Sequence, residues 1–511
     1  MPKSLEFRTF GFLIKDKVSR FMDLRRVGLI TGPLLFLIIV LLPTPPGMPR
    51  EAQFTAGITL WIAAWWILEP VNSAVTSLLP IVLFPLCGVM SLKSLSGEYA
   101  NQIIFLFMAG FFLGKTIEKW ELHRRIALNM VSWMGSNPSG MVLGFMTATA
   151  VISMWISNTA TAVMMTPVAI AVSKNAMRQE GMNENFSKTL MLGVGYACSI
   201  GGLATIIGTP TNAIFLGFAQ AELGATISFW KWFLVGFPIT VVLLILCWIM
   251  LVKMFPLPKS FSTGHASHAG IREEIEALGP VSTAERRLMI VFGAVIFCWI
   301  TGSAIWYKWV PNSDDTVVAM MGAILLFIIP AGNPNGADSN QAEKRAEAHV
   351  PLLDWQTALK IPWGILLLFG GGLALAKGFD NSGLAIWIGH QLEGLASLPG
   401  IVILLCVLIV VVLLSEVASN IATASMMMPV LATIAVTIGS DPLGLCMSAT
   451  LAASIGFALP VATAPNSIVY ASGYLQVKDM ARAGIVLDVI CVLVILVSIY
   501  TLLPMVWGLN V

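Results

Sequence analysis

Residues 155–172 read WISNTATAVMMTPVAIAV. Three polar side chains, Ser157, Asn158 and Thr159, stand inside an apolar run, and Pro167 follows about two helical turns later. Nearly the same words return at 418–430, ASNIATASMMMPV. Laying 157–168 over 419–430 gives nine identities in twelve positions at a constant offset of 262 residues. The polar interruption is therefore used twice.

The offset holds upstream, where FMAGFFLGK (107–115) lies over FGGGLALAK (369–377) and shares a phenylalanine, a glycine, a leucine and the lysine. Downstream, SIGGLATIIGTPTNAI (199–214) pairs with SIGFALPVATAPNSI (454–468) with some slippage. The chain consists of two related halves, and a repeat of this length is a folding unit far larger than a solenoid period.

Composition places these halves in a bilayer. Of 511 residues 57% are hydrophobic and only 11% charged, with mean hydropathy +0.85, outside the range of soluble domains. Apolar runs long enough to cross the ~30 Å hydrocarbon core recur from end to end. Residues 1–27 are basic and too long for the leader of a cleaved signal peptide; they read as a cytoplasmic, amphipathic lead-in at the membrane surface. The seven cysteines stand singly and the five histidines show no ligand spacing, so neither zinc nor a redox pair is expected.

Spans are expected near 28–46, 54–69, 72–90, 101–118, 188–219, 229–254, 286–306, 316–331, 361–378, 442–474 and 483–508, with hairpins near 137–173 and 398–435. The reading is an all-α polytopic membrane protein of about eleven transmembrane helices plus two re-entrant hairpins. With the N-terminus inside and the C-terminus outside, the outer face keeps only Arg50, Lys93, Lys231, Lys308 and Lys377 of the 29 lysines and arginines, as the positive-inside bias requires. Charge does not distinguish a re-entrant hairpin from two crossings. Chemistry favours re-entrance, because a break exposed to lipid leaves backbone groups unpaired, whereas a buried tip can offer them to a ligand. The equivalent spans 101–118 and 361–378 are fourth and ninth, so the halves run in opposite directions. Such inverted repeats are typical of secondary transporters.

Each half supplies two interruptions: a hairpin tip, SNT (157–159) or SNI (419–421), and a later break, GTPTN (208–212) or ATAPN (462–466). Pro210 and Pro465 remove a helix donor and disfavour helical geometry in the preceding residue. Helix N-termini suit anions, and exposed C-terminal carbonyls suit a hard cation such as sodium. No lysine or arginine falls in the four motifs, so an anion bound there needs a compensating charge that bound Na+ would supply. Glu416 is an intramembrane carboxylate, either a proton or cation site or a structural hydrogen-bond partner near the tip. Asp488 reads as structural. The loops at 256–285 and 332–354 read as solvated connectors.

With these paired motifs in order, residues 28–508 resemble the divalent anion sodium symporter family of sodium-coupled dicarboxylate carriers. The resemblance implies a homodimer whose transport domain moves as an elevator against a fixed scaffold. It divides the chain into the lead-in (1–27), scaffold helices of the first half (28–136), a first transport segment (137–254), a cytoplasmic loop (255–285), scaffold helices of the second half (286–397) and a second transport segment (398–511). It implies one sodium site at Ser153, Ser157, Asn158 and Gly208 and a second at Ser415, Ala418, Asn420 and Ala462. Substrate carboxylates would meet Ser157, Asn158, Thr159, Thr209, Ser419, Asn420 and Thr463. The sequence departs from the family pattern at Ile421, often threonine, and at Thr211 and Ala464, each replacing one member of a double proline.

The expected function is sodium-driven symport of C4-dicarboxylates (succinate, malate, fumarate) into the cell across its inner (plasma) membrane. The alternatives of the same fold are a sodium-independent dicarboxylate exchanger and a citrate or sulfate carrier. An enzyme would need a nucleophile with its base, a histidine cluster or a paired-carboxylate site within the spans, and none is found. The discontinuous repeats favour alternation over an open channel, and no nucleic-acid partner is expected.

Overall fold

The computed structural model describes residues 26–133, 137–177, 184–258, 275–310, 312–332 and 350–509; the expected lead-in lies almost wholly outside them. The described residues are helical, without a sheet. In the first half, α1 is Arg26–Leu41 and α2 Arg50–Leu68, followed by α3 Ser73–Thr76, α4 Leu79–Leu86, α5 Leu92–Tyr99, α6 Gln102–Lys119 and α7 Leu122–Trp133. The first hairpin is α8 Pro138–Ser153 and α9 Asn158–Ala176. A discontinuous helix follows, α10 Glu184–Gly202 and α11 Pro210–Glu222, then α12 Phe229–Met254.

The second half repeats this order. α13 Thr283–Thr301 and α14 Asp315–Ile328 lead to α15 Trp355–Ala358, α16 Trp363–Asn381 and α17 Leu384–Gln391. The second hairpin is α18 Gly400–Val417 and α19 Asn420–Thr437, the second discontinuous helix is α20 Pro442–Ala453 and α21 Ala464–Ala471, and α22 Val477–Trp507 closes the chain.

The expected spans are not all uninterrupted helices. Among the described residues, six helical stretches are long and apolar enough to cross a bilayer alone, Leu92–Lys119, Phe229–Met254, Trp363–Asn381, Gly400–Val417, Asn420–Thr437 and Val477–Trp507. The expected span 72–90 is two short helices. The Asn72 side chain accepts the Ala74 N–H to start α3, and Pro80 opens α4, where its missing N–H costs nothing. The short helices α7 and α17 were not expected; α7 carries Arg124, Arg125 and Asn129 among its apolar positions, a pattern too short and too polar to register as a span.

Each tip is placed by its own helix start. Ser157 is extended and accepts the Ala160 N–H on its hydroxyl, capping α9. Ser419 takes the same extended position before α19, without the side-chain cap. Pro167 and Pro429 lie inside α9 and α19 rather than ending them. Close approach fixes the first discontinuous helix against its hairpin and the second against α22. A Cβ on Gly201 would stand 2.4 Å from the Ala150 carbonyl oxygen of α8, and one on Gly484 of α22 would stand 2.2 Å from the Phe457 carbonyl carbon. Only glycine admits those contacts. Behind them lies a large apolar cluster running through both halves, with two smaller ones around Trp66 and Phe379.

Candidate functional site

A cavity of about 960 Å³ collects all four interruptions. Its wall contains both tips, Ser157, Asn158 and Thr159 with Ser419, Asn420 and Ile421, and both breaks, Thr209 and Pro210 with Thr463, Ala464 and Pro465. All seven residues expected to meet substrate therefore line one space. The helices α9, α11, α19 and α21 all begin at this wall, so four helix N-termini converge on it. Their free N–H groups and partial positive charges favour a bound anion.

The residues expected to hold sodium divide between the wall and the layer behind it. Ala418 and Ala462 line the cavity with the asparagines, while Ser153 and Ser415 are fully buried behind them. Ser153 Oγ donates to the Cys198 carbonyl at 2.7 Å, and Ser415 Oγ donates to the Ala453 carbonyl at 2.6 Å. Each serine also sits 2.8 Å from the amide of its tip asparagine, Asn158 or Asn420. In the first half the same terminal amide atom of Asn158 lies 3.1 Å from Cys198 O and 3.3 Å from Gly208 O. With NH2 on that side, Asn158 turns its two hydrogens towards these three oxygens; with its oxygen there, four neutral oxygens converge, a donor set that suits a hard cation. Gly208 thus joins the first cluster through its carbonyl.

Two side chains in the breaks were overlooked as site residues. Asn212 Nδ2 donates to the carbonyls of Gly202 (3.1 Å) and Thr205 (2.8 Å). Asn466 Nδ2 donates to those of Gly456 (3.0 Å) and Leu459 (3.1 Å). Each asparagine closes the unwound segment of its helix with the same two bonds, and each leaves its Oδ1 buried without a partner. Their identity at the end of both break motifs was the available signal. The departure at Thr211 has a structural counterpart: its hydroxyl is hydrogen-bonded to Ser454, tying the first break to the second.

The cavity's rim is charged where its interior is neutral. Glu69, Lys115, Glu118 and Lys360 line it at the end where α2 and α6 finish and α16 begins. Lys115 pairs with Glu118 at 2.6 Å. Nearby, Lys119 reaches Asp354 at 2.7 Å and Arg125 reaches Glu285 at 2.7 Å, joining the α6–α7 corner to the second half. Burial alone would raise the Asp354 carboxyl, but hydrogen bonds from Lys119 and Thr357 outweigh it and hold the group well below the usual carboxylate range. Among the described residues, no group of three or more His, Cys, Asp or Glu is placed to hold a metal ion.

An all-helical fold, two hairpins whose tips line one cavity and broken helices in the same wall define a polytopic membrane transport protein. Residues 25–509 match the family model described as the sodium:sulfate symporter transmembrane region, and the chain belongs to that family. It is accordingly a transporter and not an enzyme. A protein named sodium-dependent dicarboxylate transporter SdcS from Staphylococcus saprophyticus is 40% identical over 494 residues, 95% of this chain and 92% of the relative. SdcS from Staphylococcus aureus is 40% identical over 513 residues, 99% of this chain and 96% of the relative. Among solved structures, the Alcanivorax borkumensis YdaH transporter aligns with TM-score 0.54 at 12% identity, covering 91% of this chain and 100% of that one. MtrF of Neisseria gonorrhoeae aligns with TM-score 0.56 at 11% identity, covering 95% and 98%. At those identities the likeness concerns the fold.

Proposed function

We propose that the protein couples sodium entry to uptake of C4-dicarboxylates such as succinate, malate and fumarate across the cell membrane. The observation that carries this reading is the convergence of four helix N-termini and two serine–asparagine tips on one cavity whose motifs contain no basic side chain. Two carboxylates separated by a short carbon chain match two hairpin tips facing each other. Sodium at the paired clusters of Ser153, Ser157, Asn158 and Gly208 and of Ser415, Ala418, Asn420 and Ala462 supplies the positive charge that the side chains do not. Two SdcS relatives named sodium-dependent dicarboxylate transporters match this chain nearly end to end, which supports both substrate class and coupling ion.

The transport domain is residues 137–254 with 398–511, and the scaffold is 28–136 with 286–397, working as a homodimer. The hairpins are re-entrant from opposite faces of an inverted repeat. With the N-terminus cytoplasmic, the Lys115–Lys360 rim faces the cytoplasm and the cavity opens inward. The transport domain moves as an elevator, carrying the cavity towards the outer face.

Uptake of labelled succinate into proteoliposomes, driven by an inward sodium gradient and then with potassium in its place, tests the reading. Uptake that requires sodium and is competed by malate and fumarate supports it. Sodium-independent uptake that needs internal dicarboxylate would replace symport with exchange, and competition by sulfate or citrate alone would change the substrate.

A further inference from the structure

The two halves build their breaks with the same asparagine clamp but fasten them to their hairpins differently. In the first half Thr205, in the unwound segment, donates its hydroxyl hydrogen to the Met154 carbonyl at the end of the hairpin arm. Glu416 stands at the position related to Met154 by the 262-residue offset, and here donor and acceptor are exchanged. Glu416 Oε1 accepts the Ala458 N–H at 2.8 Å and Oε2 accepts the Leu459 N–H at 3.0 Å. The side chain now accepts and the backbone donates.

The same short segment is held by further side chains. Asp488 Oδ1 on α22 accepts the Phe457 N–H at 3.3 Å. The Tyr196 hydroxyl on α10 donates to Phe457 O at 3.1 Å, and Asn466 ties down the carbonyls of Gly456 and Leu459. Both Glu416 oxygens thus receive amide hydrogens from the segment, and Asp488 receives a third. Glu416 and Asp488 are 7% and 8% exposed, deep enough for these bonds to be strong and costly to lose.

From this geometry we propose that Glu416 is the positioning residue of the second cation site, fixing through the Ala458 and Leu459 amides the backbone turn that presents the Ala462 carbonyl. The turn itself is closed by Ala462 N–H donating to Leu459 O at 3.2 Å, so displacing the 458–459 amides displaces Ala462. Asp488 holds the same turn one residue earlier, through the Phe457 amide. The inference rests on the second sodium site proposed above. It makes the two sites inequivalent, because the first is fastened by a hydroxyl that donates to the hairpin backbone and the second by a carboxyl side chain that accepts from the backbone of the break.

The test compares Glu416→Gln, Asp488→Leu and Asp488→Asn with the wild type, each purified as a monodisperse full-length protein. Two quantities are read: stabilisation by added sodium against choline without substrate, and, after reconstitution, the sodium half-saturation and the succinate KM at saturating sodium. Glutamine turns one NH2 towards an amide N–H, so Glu416→Gln is expected to raise the sodium half-saturation about tenfold or more, the scale of one buried charge-assisted hydrogen bond, with the succinate KM within about threefold. Asp488→Leu is expected to do the same, and Asp488→Asn, which keeps an Oδ1 acceptor for the Phe457 N–H, to restore it. A sodium curve for Glu416→Gln that coincides with the wild type's overturns the proposal, as does Asp488→Asn acting like Asp488→Leu. Should Glu416→Gln fail to fold, the Asp488 pair decides alone. A wild type that gains no stability from sodium overturns the cation-site reading together with this one, whereas sodium stabilisation left intact in Glu416→Gln overturns only this one.

Discussion

Asn158 and Asn420 do two jobs each: they start a helix at the cavity wall and bring a terminal amide against a buried serine. Replacing either by alanine removes the amide and leaves Ser153 or Ser415 without it. We expect sodium-driven succinate uptake to fall at least tenfold in Asn158→Ala and Asn420→Ala while each protein still elutes as a folded species; uptake within twofold of wild type would remove that residue from the site. Gly484 is a different test, because it touches neither cavity nor ligand. A methyl there would stand 2.2 Å from Phe457 and 2.3 Å from Ala458, far inside van der Waals contact, and Gly484→Ala is expected to lower the melting temperature, overpacking of this kind costing about 1–3 kcal/mol. An unchanged melting curve would contradict that packing. The tip asparagines were legible because a polar pair in an apolar run stands out and is repeated. Asn212, Asn466 and Thr205 were not, since their roles depend on which carbonyls the fold brings near, and sequence spacing does not report that.

The unwound segments between α10 and α11 and between α20 and α21 owe their shape to side chains that replace the missing helical bonds, as buried backbone requires. Asn212→Ala or Asn466→Ala removes two of those bonds at once. We expect each to slow uptake several-fold with a lower melting temperature, and Asn212→Asp, whose carboxylate cannot donate, to be no better than alanine. Recovery of function in Asn212→Asp would contradict the clamp. At the α6–α7 corner, Asp354 is held by Lys119 and Thr357. Its folded carboxyl titrates below the usual value near 3.9, so its contribution to stability is present at neutral pH and is lost only as pH falls below that value towards the folded one. The melting-temperature gap between wild type and Asp354→Asn in detergent is therefore expected to be constant from pH 8 to about 5 and to shrink in stronger acid; a gap that closes above pH 5 would contradict it. The long apolar helices could be read from hydropathy, and the breaks from their prolines. The two-piece α3–α4 and the short α7 and α17 could not, because a few capped turns leave no periodic signature.

At the scale of the molecule, the repeat was visible in the 262-residue offset, and the structure adds that both copies deliver their interruptions to the same cavity. An elevator movement would have to break what now joins the two proposed bodies. Glu222 at the end of α11 lies 3.9 Å from Lys377 on α16, and Trp155 at the first tip packs edge-on against Phe292 of α13 at 5.1 Å. The central claim is that sodium and dicarboxylate occupy this cavity together and strengthen each other's binding, as linkage between neighbouring sites requires. Its most direct test is equilibrium binding of labelled succinate to the purified protein across a sodium series at constant ionic strength, potassium making up the balance. The account expects succinate affinity to climb steeply with sodium and to vanish in potassium alone. Equal affinity in sodium and in potassium would contradict it.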